Sequence, residues 1–144
     1  MIIRKRPSED RGKAENGWLH ARFTFSFSDY RDEAHNRFHS LIVMNNDIIE
    51  PGGGFAMHPH ENAEIFTYVM SGQLQHKDSM GNGSVIEAGD LQYMSAGVGV
   101  RHSEFNPSTE EKTELYQVWI EPRERGGDPI YSEKKLGQGS VSNE

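Results

Sequence analysis

The chain has 144 residues, 34% hydrophobic and 26% charged, with a formal net charge of −7, which suits one domain with one ordinary core. The acidic balance, without any dense Lys/Arg stripe, argues against direct nucleic-acid binding. Cysteine is absent, which excludes disulfides, thiolate catalysis and sulfur-ligated metals, so any metal must be held by nitrogen and oxygen.

Fifteen glycines and six prolines favour turns and short strands over long helices. Residues 1–16 are polar beyond the first three and read as an arm or edge segment. From Trp18 to Phe27 the pattern alternates, with Phe23, Phe25 and Phe27 on one face and Thr24 and Ser26 on the other, as a half-buried strand would have it. Asp29 to Arg37 reads as a loop. Ser40 to Ile49 is a second strand, in which Asn45, Asn46 and Asp47 invite a bulge or turn. Pro51 and Gly52, Gly53 and Gly54 then break the pattern, either to turn the chain or to let backbone pass close to another segment.

Short strands follow at Glu64 to Met70, Gln73 to Lys77, Leu91 to Met94 and Val100 to Glu104, the last three each entered from a glycine-containing turn. Leu115 to Ile120 fits a strand buried on both faces or nearly so. Beyond Pro122 the composition turns polar, and Gly137 to Glu144 reads as a disordered tail. Short strands at this spacing predict an all-β sandwich or barrel. No apolar run approaches the ~18 residues of a membrane span and the N-terminus lacks a signal-like core. A cytoplasmic protein with no membrane partner is the expectation.

Two pairs of residues carry the chemistry. His58 and His60, one residue apart, project to the same side of an extended strand. Their Cα atoms are then roughly 6.5 Å apart, close enough for two imidazoles to share one divalent ion. His102 and Glu104 repeat that spacing. Antiparallel strands side by side would turn three imidazoles and one carboxylate to the same interior, with open positions left on a six-coordinate metal. The bland alternative is that these histidines cap turns or lie on the surface; two ligand-spaced pairs, each behind a glycine turn, favour metal. The donor set suits Fe, Mn, Ni, Co, Cu or Zn.

The run from Gly52 through His58, His60 and Glu64, then Gly89, Gly97, His102 and Asn106, resembles the two motifs of the cupin superfamily. Within it, His58-Pro59-His60, Thr67-Tyr68-Val69, His76-Lys77-Asp78-Ser79-Met80-Gly81-Asn82, Met94-Ser95-Ala96-Gly97 and His102-Ser103-Glu104 closely resemble the pirin family. The likeness covers roughly residues 17–122, between an N-terminal arm (1–16) and a polar, partly disordered extension (123–144). It implies an all-β cupin barrel, or double-stranded β-helix. His58, His60, His102 and Glu104 would be the metal ligands, usually of Fe(II). Glu64, a ligand in many other cupins, would orient a ligand or contact substrate. His76 would be structural, and His20, His35 and His39 surface or loop residues.

Three departures from the family pattern matter. Phe23 stands where pirins commonly carry His, Glu61 where the residue is often basic, and the chain is about half the usual length. The last predicts a homodimer that covers the face otherwise packed on a second domain. The resemblance implies a quercetinase-like dioxygenase, acting with O2 on a flavonol or similar aromatic hydroxyketone, with Glu104 accepting the hydroxyl proton. The other reading it implies is a metal-bound regulatory module that contacts a protein partner and has no turnover of its own.

Overall fold

The structure is a computed structural model and describes residues 5–136. Among the described residues eleven strands form two antiparallel sheets. The larger sheet runs β1 (Gly12–Glu15), β2 (Leu19–Phe23), β3 (Leu41–Ile49), β10 (Thr113–Ile120), β5 (Glu64–Ser71), β8 (Asp90–Ser95) and β11 (Ile130–Lys135). The smaller runs β4 (Gly54–His60), β9 (Val100–Phe105), β6 (Gln73–Asp78) and β7 (Gly83–Glu87). The only helical pieces among the described residues are single 3-10 turns at Ser8–Asp10 and Glu33–His35, so the all-β expectation holds. No hydrogen-bonded ladder joins the two sheets into a closed barrel among the described residues.

Alternation sets which side chains meet between the sheets. In β2, Leu19, Ala21 and Phe23 are buried and His20 and Arg22 face outward towards Glu15. In β5, Ile65, Thr67 and Val69 point inward. Two apolar clusters result. One gathers Leu19, Ala21, Phe23, Ile49, Val69, Leu74, Ile86 and Leu115; the other gathers Ala63, Ile65, Met94, Ala96 and Val100. Since Ile65 and Val69 belong to different clusters, the inward residue between them, Thr67, falls in a polar layer. That layer holds the site.

Three features differ from the expectations or resolve them. The Asn45-Asn46-Asp47 stretch makes neither bulge nor turn: β3 pairs through it in unbroken register with β2 and β10. The irregularities fall instead between Phe55 and His58, between Trp119 and Ile120, and between Glu114 and Leu115. Strands also occur outside residues 17–122. Gly12–Glu15 pairs with β2, and Ile130–Lys135 pairs with β8, where the Tyr131 hydroxyl reaches Ser84 at 2.8 Å and Gln92 at 3.3 Å. The tail expected at 137–144 lies outside the described residues.

The glycine run does both things proposed for it. Gly52 turns with φ of 71°, a conformation that favours glycine. Gly54 lets β4 lie close on β9: a Cβ there would sit 2.4 Å from the Glu104 carbonyl oxygen and 2.6 Å from Phe105 Cα. Both are backbone atoms that cannot swing away. Gly54→Ala is therefore expected to cost about 1–3 kcal/mol, as overpacking does, and to lower the thermal midpoint. An unchanged midpoint would mean the two strands separate freely.

Candidate metal centre

β4 is the edge strand of the small sheet, where Pro59 can sit without leaving a ladder hydrogen bond unmade. On either side of it, His58 and His60 share one face. β9 lies antiparallel alongside, with His58 opposite His102. Period 2 on each strand and this register bring the two sequence pairs together.

The His102 Nε2 atom lies 3.0 Å from His60 Nε2 and 3.0 Å from His58 Nε2, and 3.9 Å from Glu104 Oε2. The three rings form a triangle with centroids 4.5–4.8 Å apart. The His58 Nδ1 nitrogen is 2.8 Å from the Ala56 carbonyl oxygen. That contact needs the proton on Nδ1 and leaves Nε2 with a bare lone pair aimed at its neighbours. Burial, then the neighbouring imidazoles, lowers the His60 pKa to about 4. Burial, then His58 and His76, lowers that of His102 to about 3. Both rings are thus neutral at pH 7, as metal ligation requires.

Glu104 is 3% exposed and is held by neutral donors alone. Gln117 Nε2 donates to Oε2 at 3.0 Å, while Gln92 Nε2 and Thr67 Oγ1 approach Oε1 at 3.4 and 3.5 Å. These three residues form one cross-strand row, Gln117 opposite Thr67 and Thr67 opposite Gln92. Trp119 Nε1 donates to Gln117 Oε1 at 3.0 Å and so turns that amide's nitrogen towards Glu104. The Tyr131 hydroxyl does the same for Gln92. No Lys or Arg among the described residues pairs with this buried carboxylate. Three converging imidazole nitrogens beside a buried carboxyl group with no cationic partner make a site shaped for a cation. A divalent ion with bonds of about 2.0–2.2 Å fits these donors.

Glu64 belongs elsewhere. It starts β5 in the opposite sheet on that strand's outer face, where it accepts hydrogen bonds from the Tyr93 hydroxyl and from Ser95 Oγ. Among the described residues it makes no hydrogen bond to His58, His60, His102 or Glu104. His76 is fully buried, stacked on Tyr131 at 4.3 Å, with Nε2 2.9 Å from Asp78 Oδ2. It lies opposite Glu104 across β6 and β9, and donor atoms of His76, His102 and Glu104 gather within 4.8 Å. It therefore supports the site from behind while packing as a structural residue. His20 pairs with Glu15 and Glu50, and His35 with Asp32, all outside the site.

In front of the histidines opens a cavity of about 260 Å³. Trp18 meets Phe55 edge-on at 5.0 Å in its wall, and Phe27 meets Trp119 at 5.6 Å. Phe23, the departure from the family's His, packs 5.2 Å from Phe27 and makes this wall apolar. Asn45 and Asp47, inward on β3, also line it. Burial, then the charge of Glu104, raises the Asp47 pKa to about 7. The sequence marks Asp47 only as a bulge or turn former and Thr67 only as part of a family motif, and it marks Gln92 and Gln117 not at all. Their signal is a polar residue inside an otherwise apolar run: Asn45 and Asp47 in LIVMNNDII, Thr67 in EIFTYVM, Gln117 in LYQVWI.

The Pirin family model matches residues 4–120. The chain belongs to the pirin family. It is 48% identical over 135 residues to a protein named quercetin 2,3-dioxygenase from Escherichia coli K12, covering 94% of this chain and 58% of that one. Two crystal structures of the bacterial pirin YhhW from Escherichia coli, one in complex with nickel(II), match with TM-scores of 0.91 and 0.89 at 48% identity. They cover 93% of this chain and 57% and 58% of theirs. A cupin from Shewanella frigidimarina, at 18% identity, covers 85% of this chain and 95% of that one with a TM-score of 0.60, and shows the shared cupin fold. The chain thus spans less than two thirds of the pirin relatives it matches.

Proposed function

We propose that this pirin chain is a metal-dependent dioxygenase of quercetinase type, with His58, His60, His102 and Glu104 as the ligands of a divalent metal. The observation that carries the reading is the convergence of three imidazoles and one buried carboxyl group at the inner end of an aromatic-walled cavity. Kinship with a protein named quercetin 2,3-dioxygenase supports the reaction class, and YhhW with nickel(II) supports the metal. Fe(II) is the ion the family resemblance favours.

A bound divalent ion would supply Lewis acidity to a substrate oxygen and open coordination positions for substrate and O2. The chain's residues do the rest. Trp18, Phe27, Phe55 and Trp119 hold a planar aromatic ring and exclude water from it. Gln117, Thr67 and Gln92 fix Glu104, so that a carboxylate oxygen is available to take the proton of a substrate hydroxyl. Removing that proton makes the ring electron-rich enough to be oxidised.

Metal-loaded protein is expected to consume O2 in the presence of quercetin. Glu104→Gln, which keeps the shape and loses the base, is expected to cut the rate at least about 100-fold. Full metal occupancy with no oxygen uptake would defeat the enzyme reading and leave the regulatory, protein-binding one.

A further inference from the structure

We propose that Asn45 and Asp47 form a second recognition wall in this cavity, one that accepts hydrogen bonds from substrate hydroxyl groups away from the metal ligands. The inference rests on reading the cavity as the substrate site and narrows the substrate class to neutral, polyhydroxylated aromatic compounds.

The two residues sit at i and i+2 on the inner face of β3 and are 2% and 5% exposed. Buried polar atoms in proteins nearly always have partners. Asn45 Oδ1 has none among the described residues. Its position in the sheet makes this informative. Asn45 continues the polar row, standing opposite Gln117, yet Gln117, Thr67 and Gln92 all turn to Glu104 and none turns to Asn45. Asp47 is flanked across the strands by Ala21 and Leu115, neither of which offers a side-chain donor. Burial and the charge of Glu104 perturb its carboxyl, with no hydrogen bond contributing. Both residues line the cavity.

The remaining lining fixes what could satisfy them. It contains no Lys or Arg among the described residues, and it already holds two carboxyl groups, Asp47 and Glu104. Even with a divalent ion offsetting Glu104, an anionic group at the Asn45 and Asp47 wall would meet the Asp47 carboxyl with no Lys or Arg in the lining to pair it, and be disfavoured there. A neutral hydroxyl offers the missing donor at no such cost. The aromatic walls accept the ring that carries it. At about 260 Å³ the cavity falls just below the range of ~300–1,000 Å³ usual for ligand sites, so a compact hydroxylated ring suits it.

The test is equilibrium binding to metal-loaded protein without O2, which needs no turnover. The probes are quercetin and 3-hydroxyflavone, which share the hydroxyketone but differ in the remaining hydroxyls. The wild type is expected to prefer quercetin by at least about tenfold, the worth of one net hydrogen bond. Asp47→Leu is expected to reduce that preference to near unity by weakening quercetin alone, and Asn45→Leu to reduce it in part. Asp47→Asn, which keeps shape and an acceptor oxygen, is expected to fold and to retain most of the preference. Equal weakening of both probes, or an unchanged preference in both leucine variants, would overturn the inference while the dioxygenase reading stood. Failure of both probes to bind the wild type would overturn the inference together with the site reading.

Discussion

A His102→Asn protein is expected to bind Ni(II) or Fe(II) at least about 100-fold more weakly than the wild type, because it removes the hub of the donor set. The Nε2 atom of His102 is within 3.0 Å of both other imidazole nitrogens and 3.9 Å from Glu104, so no three-donor group containing Glu104 survives its loss. Substitution of groups that merely support a metal ligand already costs 10–100-fold, which sets the lower bound. Asparagine is polar and fits within the space of the ring, yet is too short to place an atom where Nε2 lies. The fold is therefore expected to persist by circular dichroism. Metal at 100 times the wild-type Kd stabilises that protein by about 2.7 kcal/mol. A 100-fold weaker site leaves only about 0.4 kcal/mol of this, so the metal-induced rise in melting temperature is expected to vanish. Undiminished metal-induced stabilisation in the variant would place the metal elsewhere.

The two halves of this centre were readable in the chain because each uses the shortest strand period. His58 and His60, and His102 and Glu104, need only an extended backbone to share a face, and family resemblance then paired them. What could not be read depends on register between distant strands. Gln117, Thr67 and Gln92 lie on three strands far apart in sequence, and only the observed pairing aligns them under Glu104. Glu64 illustrates a related point: four residues from His60 in sequence, it opens a strand of the other sheet, and its odd separation from the inward Thr67 turns it to the outer face. Asn45 and Asp47 invite a bulge or turn within the strand expected at Ser40 to Ile49, whereas tertiary context keeps them in an unbroken ladder and places them at the cavity. Local propensity is overridden there by the requirements of the site.

Asp47 carries the second large effect. Its isosteric replacement, Asp47→Asn, is expected to stabilise the metal-free protein above neutral pH by up to about 4 kcal/mol. The carboxyl has an ordinary pKa of 3.8 when unfolded and one raised to about 7 when folded, by burial first and by Glu104 second. Below pH 3.8 both states hold the proton and the substitution is expected to change little. Between pH 3.8 and about 7 the unfolded chain releases a proton that the folded chain keeps, so the folded wild type loses relative stability as pH rises. Above pH 7 the penalty is complete, at roughly 1.4 kcal/mol per unit of pKa difference. Asparagine never ionises and escapes it. Urea unfolding at pH 4 and pH 8 checks the prediction: the gain is expected at pH 8 alone. An equal gain at both values would point to packing rather than charge, and a loss at pH 8 would reveal a stabilising partner for the carboxylate. A bound divalent cation, by offsetting the charge of Glu104, is expected to shrink the gain. An acid that weakens its own fold at neutral pH, with an unpartnered amide two residues away, fits a site where stability is given up for recognition.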